Sequence, residues 1–231
     1  MKKGLAIAVH VLSTSGVALA FGAIMLIMKD DAVNAFRLLA LAALIDSIDG
    51  TLARWVDVGR YTPEIDGSLI DNLVDYLTWV FVPMIWAWNF LEIHWVICVA
   101  VMFSSMLGFS HVRAKTPDHF FRGFPSYWNI VILYLFILDA GTQMVSLVLI
   151  VLAVLVLVPV KFIYPSRTLV MQKTTLVLSV PYLVMLVFML GYFEATPIWL
   201  VLVSLYYPVY YLMVSLYLTL KETGLPNHRV S

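Results

Sequence analysis

Long apolar runs, recurring from about residue 5 to residue 220 with only short polar breaks, constrain this chain more than any other feature. Hydrophobic residues make up 62% of its 231 residues and charged ones 12%, where soluble domains carry about 25% charged. The mean hydropathy is +0.95. A hydrocarbon core about 30 Å thick takes roughly 20 apolar residues per spanning helix, and inside lipid a helix satisfies its own backbone. The predicted fold class is therefore an all-α polytopic membrane protein. About eight transmembrane helices fit, over residues 5–28, 32–55, 66–90, 94–112, 126–140, 143–160, 174–192 and 197–220. No internal repeat, low-complexity tract or long linker divides them, so residues 1–231 read as a single integral membrane domain.

The first segment has a competing reading. Lys2-Lys3, an apolar run and Ala18-Leu19-Ala20 resemble a cleavable signal peptide, but the apolar run continues to Met28, longer than a typical signal core. We read it as a span. The single Cys98 lies in an apolar run and has no second cysteine to pair with. Lys plus Arg equals Asp plus Glu at 14 each, so net charge offers nothing to a nucleic acid.

The placement of the basic residues is more telling. With the N-terminus inside, Lys2, Lys3, Arg54, Arg60, Arg113, Lys115, Arg122, Lys161, Arg167, Lys173, Lys221 and Arg229 all fall on the cytoplasmic side. Only Lys29 and Arg37 lie toward the other face, so 12 of the 14 share one side. The positive-inside rule then favours this orientation and an even number of spans.

Four carboxylates interrupt this apolar background at helical spacing. Asp46, Asp49, Gly50, Ala53 and Arg54 fall on one side of the second predicted helix, and Gly67, Asp71 and Asp75 follow an i, i+4, i+8 row on the third. A carboxylate near the middle of a span costs roughly 2.5 to 3.5 kcal/mol on insertion scales, so four need compensating charge. Hard oxygen ligands suit Mg²⁺ or Mn²⁺. A pair of such ions could clamp a pyrophosphate, and the planar fork of Arg54 suits a further phosphate oxygen. Asp57 and Glu64 lie in the connecting loop, where solvated acids are ordinary.

The pattern resembles the signature of the CDP-alcohol phosphotransferase family, D-x2-D-G-x2-A-R followed by G-x3-D-x3-D, with every named position present. Most of that family has eight residues between Arg and Gly; here twelve separate Arg54 from Gly67. The longer gap resembles the bacterial phosphatidylcholine synthase branch, as do the segments Asp71–Thr78 and Asp118–Asn129 and the eight-span layout. The resemblance implies that Asp46, Asp49, Asp71 and Asp75 hold Mn²⁺ or Mg²⁺, as two ions, and that Asp75 also acts as the catalytic general base. It implies that Gly50, Ala53, Arg54 and Gly67 line a CDP site. Thr14 matches polar residues that hold the cytidine in the family, although helix packing through His10, Ser13, Thr14 and Gly16 explains that patch equally well.

The substrates implied are CDP-diacylglycerol and choline, with CMP released. The implied partners are membrane lipids rather than nucleic acid. A bacterial inner membrane location with a cytoplasmic active site, and a homodimer, accord with the family. A quaternary ammonium has no N–H to donate and is selected by aromatic faces; Tyr76, Trp79, Tyr127 and Trp128 are candidates, with Asn129 for the choline hydroxyl. Trp and Tyr also favour membrane interfaces without any ligand. Arg122, in the loop before the fifth span, reads as a positive-inside anchor ahead of a contact to the CDP phosphates or lipid headgroups.

Two alternatives stay open at this point. The same chemistry could serve serine, inositol or glycerol phosphate, although an anionic acceptor would call for extra cations near Asp75. Intramembrane acids also mark cation transporters, although acids scattered at several depths would suit that reading better than a cluster at one end of two helices.

Overall fold

The computed structural model describes residues 2–165 and 167–223, so Arg229 of the topology argument lies outside the described residues. Helix α1 (Lys2–Ile27) packs along α2 (Ala32–Val56), a one-turn α3 (Val58–Tyr61) follows, and α4 (Gly67–Asp75) begins the third long segment. α4 runs into a π-helical turn (Tyr76–Phe81) and then α5 (Val82–Phe90), forming one continuous helix from Gly67 to Phe90. After α6 (Trp95–Phe109) come β1 (Phe120–Arg122), α7 (Trp128–Ile137), α8 (Thr142–Leu157) and β2 (Lys161–Ile163). α9 (Gln172–Tyr192), a 3₁₀ turn (Phe193–Ala195), α10 (Ile198–Ser204) and α11 (Tyr206–Thr223) complete the described chain.

Among the described residues four helical segments, Lys2–Ile27, Gly67–Phe90, Gln172–Tyr192 and Ile198–Lys221, are long and apolar enough to cross a membrane, with three shorter apolar helices between the second and third. Their outward surfaces are apolar: Phe21, Phe103, Val177, Val187 and Trp199 are all exposed, as lipid-facing side chains must be. α2 coincides with the second predicted segment, but Arg37, Asp46, Asp49 and Arg54 make it more polar than its neighbours.

Local signals set the ends of the site-bearing helices. Asp31 caps α2, its carboxylate accepting the Asn34 N–H at 3.0 Å. Asp57 stops the same helix in a left-handed conformation at φ 60°, its N–H turned back to Ala53 O and Arg54 O. Asp66 caps α4, with Ser68 N–H at 2.9 Å and Leu69 N–H at 3.1 Å. These caps hold the ends of the acid-bearing helices, and α1 packs against both α2 and α4.

The π turn and two short strands were absent from the sequence reading. β1 and β2 pair antiparallel, Phe121 opposite Phe162, tying the loop after α6 to the chain after α8. Gly123 ends this tie at φ +80°, where an added Cβ would come within contact distance of Val156 O that no side chain tolerates. The fifth predicted span is also shorter than its range of 126–140. α7 has ten residues, about 15 Å of rise, because the chain before it is extended and bonded to the α8 end through Gly123 N to Val160 O and Phe124 N to Leu155 O.

Candidate active site

α2 and α4 bring their acids together against α1. Carboxylate oxygens of Asp46, Asp49 and Asp71 lie within 4.8 Å of one another. Asp75 lines the same cleft with Ser13, Gly16, Ala42 and Ile45, and its side chain is within hydrogen-bonding reach of Asp46. Close helix approach makes this convergence possible. A Cβ on Gly16 would stand 2.5 Å from Val74 Cγ1, so only glycine lets α1 lie this near α4.

Asp49 is buried and the other three carboxylates are half-buried. The nearest cation among the described residues is Lys115, whose Nζ lies 3.7 Å from Asp71 with both side chains substantially exposed. One exposed lysine does not balance four converging acids. An all-carboxylate donor set with this excess of negative charge fits a hard divalent cation, Mg²⁺ or Mn²⁺. Among the described residues no His or Cys joins the cluster, as zinc would favour.

The residues expected around the nucleotide are not among those lining the cleft and have different surroundings. Arg54 is exposed at the α2 end, donating to Thr51 Oγ1 at 3.0 Å, and the Gly50 position faces its guanidinium at 3.5 Å. Ala53 packs beside the small cluster of Ala6, Val9 and Val58. Gly67 opens α4 next to the His10 ring, which pairs with Thr62 Oγ1 at 3.0 Å. Thr14 is exposed and turns its hydroxyl back to His10 O at 2.9 Å. Ser13 is the member of that patch that lines the cleft, within hydrogen-bonding reach of Asp49.

The aromatic candidates divide. Trp79 stands within hydrogen-bonding reach of Asp46 and packs on Tyr127 with ring centroids 5.6 Å apart. Tyr127 in turn meets Tyr211 of α11 at 6.1 Å. Tyr76 is directed toward α6, its hydroxyl donating to Met102 O at 3.2 Å. Trp128 is fully buried and donates to Ser105 Oγ at 2.9 Å. Asn129 donates to the Thr78 carbonyl at 3.0 Å. Lys115 and Tyr211 were not singled out from sequence: one is a loop lysine among several, the other one tyrosine in the run Tyr206–Tyr211, and only tertiary packing distinguishes them.

A carboxylate cluster of this form, carried by the paired motifs, agrees with comparison against known proteins. Residues 7–164 match the family model for CDP-alcohol phosphatidyltransferases. The chain belongs to this family. It is thus a multi-pass membrane enzyme, a phosphatidyltransferase. It is similar to phosphatidylcholine synthase of Borreliella burgdorferi, 34% identical over 92% of this chain and 94% of that one. The phosphatidylcholine synthases of Legionella bozemanae and Legionella pneumophila are 43% and 39% identical over 61% and 69% of this chain. The matched segments span about two thirds of those two relatives, 67% and 64% of their lengths.

Proposed function

We propose that this chain transfers the phosphatidyl group of CDP-diacylglycerol to choline, forming phosphatidylcholine and releasing CMP. The observation that carries the chemistry is the convergence of Asp46, Asp49 and Asp71 within 4.8 Å in a cleft shared with Asp75. The names of the relatives, one of them aligned over nearly the whole chain, support choline as acceptor.

Two Mg²⁺ or Mn²⁺ ions, held by Asp46, Asp49, Asp71 and Asp75, would supply charge neutralisation at the pyrophosphate and the departing CMP. The chain's own groups do the rest. Arg54, exposed near the end of α2, has no acidic partner among the described residues and offers its fork to a phosphate oxygen. Asp75 takes the proton of the choline hydroxyl as that oxygen bonds to the phosphorus bearing diacylglycerol and the bond to CMP breaks. Trp79 and Tyr127, beside Asp46, present the aromatic faces that a quaternary ammonium needs. Tyr76 and Trp128 are engaged elsewhere, which leaves choline recognition to that pair.

The reading extends to placement. Four long apolar helices and three shorter ones fit a multi-pass arrangement, and the acids share their end of the bundle with Lys3, paired to Glu64 at 3.2 Å, and Lys115. This supports a cytoplasmic active site in a bacterial inner membrane. The deciding experiment measures CMP release by purified protein given CDP-diacylglycerol and Mn²⁺ with choline, serine, inositol or glycerol 3-phosphate. Release with choline, together with phosphatidylcholine formation, is expected; release only with another acceptor overturns the choline assignment and keeps the metal centre.

A further inference from the structure

The helix carrying Asp75 changes register immediately after it. From Tyr76 to Phe81 the winding is π-helical, and Val82 N–H reaches back five residues to Leu77 O instead of four to Thr78 O. In that register the partner of Thr78 O would be the N–H of residue 83. Residue 83 is Pro, which has none. The Thr78 carbonyl is therefore left without a helical partner in a fully buried position, where an unpaired backbone group is costly.

Asn129 fills this gap from another helix. It is 5% exposed, and its Nδ2 donates to Thr78 O at 3.0 Å. The Asn129 Oδ1 is buried and has no partner among the described residues. Placing a half-satisfied amide here is a costly way to cap one carbonyl, and the turn it caps is the one that joins Asp75 to Trp79. Trp79 stands within reach of Asp46, and Asp46 within reach of Asp75. π turns inside α-helices occur frequently at functional sites.

We propose that Asn129 is a positioning residue that holds the π turn at Thr78 and thereby sets Trp79 and Asp75 against the acid cluster for transfer. The inference rests on the reading of Asp75 as base, and it gives Asn129 a part other than direct contact with choline. An ordinary structural cap would lower stability alone. A positioning residue lowers turnover in protein that still folds and binds nucleotide.

The test combines Asn129→Leu, which keeps volume and removes the donor, with Trp79→Phe and the double variant. Each is assayed for kcat and KM in CMP release and for Mn²⁺-dependent CDP binding by calorimetry. Asn129→Leu should lower kcat tenfold or more with CDP affinity and the KM for CDP-diacylglycerol within twofold of wild type. In the Trp79→Phe background the same change should cost less, because part of its effect passes through Trp79. Should Asn129→Leu fail to fold, Asn129→Gln retains an amide one methylene out of place and should show the same split. A kcat within twofold of wild type in folded protein, or equal losses in both Trp79 backgrounds, would overturn the proposal. Wild-type acceptor preference is scored separately: if it is not choline, the function reading fails while the Asn129 comparison is made with the acceptor found.

Discussion

At the residue scale the chemistry is concentrated in four aspartates, and their detection from sequence rested on the cost of charge in an apolar run. Asp75→Asn keeps the shape and the hydrogen-bonding oxygen but removes the base. CMP release should fall by roughly 10²- to 10⁴-fold, the range of general acid–base contributions, while calorimetry still detects Mn²⁺-dependent CDP binding. Turnover at the wild-type level would end the assignment. Gly16→Ala probes the packing that brings the acids together. The new Cβ would meet Val74 Cγ1 at 2.5 Å, and a β-branched side chain inside a helix has little rotamer freedom with which to yield. Overpacking of this kind costs about 1–3 kcal/mol, so the melting temperature should fall and CDP binding weaken, Val74 being next to Asp75. An unchanged melting point would mean that α1 does not lie this close to α4. The division of labour between Ser13 and Thr14 was hidden, since adjacent residues on a polar patch differ only in which face the helix turns inward, and packing decides that.

At the scale of elements, periodicity located the helices because burial and lipid both reward an apolar surface, whichever neighbour supplies it. The two strands and the π turn escaped notice for a shared reason. Each depends on a distant partner: Phe121 on Phe162, and the turn on Asn129 as well as Pro83. No local pattern announces such pairings. The cap of α4 offers a test at this scale, because Asp66 lies at the aqueous end of the helix. Hydrogen bonds from the Ser68 hydroxyl, Leu69 N–H and Ser68 N–H hold its carboxyl below the ordinary value of 3.8. A folded-state pKa below the unfolded one favours the folded form wherever Asp66 is ionised, and that advantage is lost as pH falls through the lowered value. The melting temperature of wild type should therefore exceed that of Asp66→Asn at pH 6, with the difference closing as the pH falls below the ordinary value of 3.8. A difference independent of pH would assign the cap to shape rather than charge.

For the whole molecule, orientation rests on the basic residues, and the structure adds a reason for one exception. Arg37, one of two cations assigned to the far face, donates to Leu190 O at 3.1 Å and Gly191 O at 2.9 Å, binding the last carbonyls of α9. Such a contact holds α9 against α2 at that end and satisfies groups the helix leaves open, so this arginine serves packing and does not count against the positive-inside bias. The short α7 is consistent with spanning for a related reason: irregular backbone is tolerated at membrane depth where protein rather than lipid covers it, and the preceding residues Gly123, Phe124 and Ser126 are buried. The arrangement makes a prediction about sidedness. In a Cys98→Ser background, single cysteines at Lys3, Arg60 and Lys115 should react with an impermeant maleimide only in inside-out vesicles, and those at Lys29, Glu92 and Asp139 only in right-side-out cells. Cysteine at residue 139 is the most informative, since it lies between α7 and α8 and reaches the outer face only if ten-residue α7 completes a crossing. Labelling of residue 139 from the inner side would reduce the eight spans expected from sequence to six and make α7 and α8 a re-entrant pair, leaving the acid cluster on the same side of the membrane.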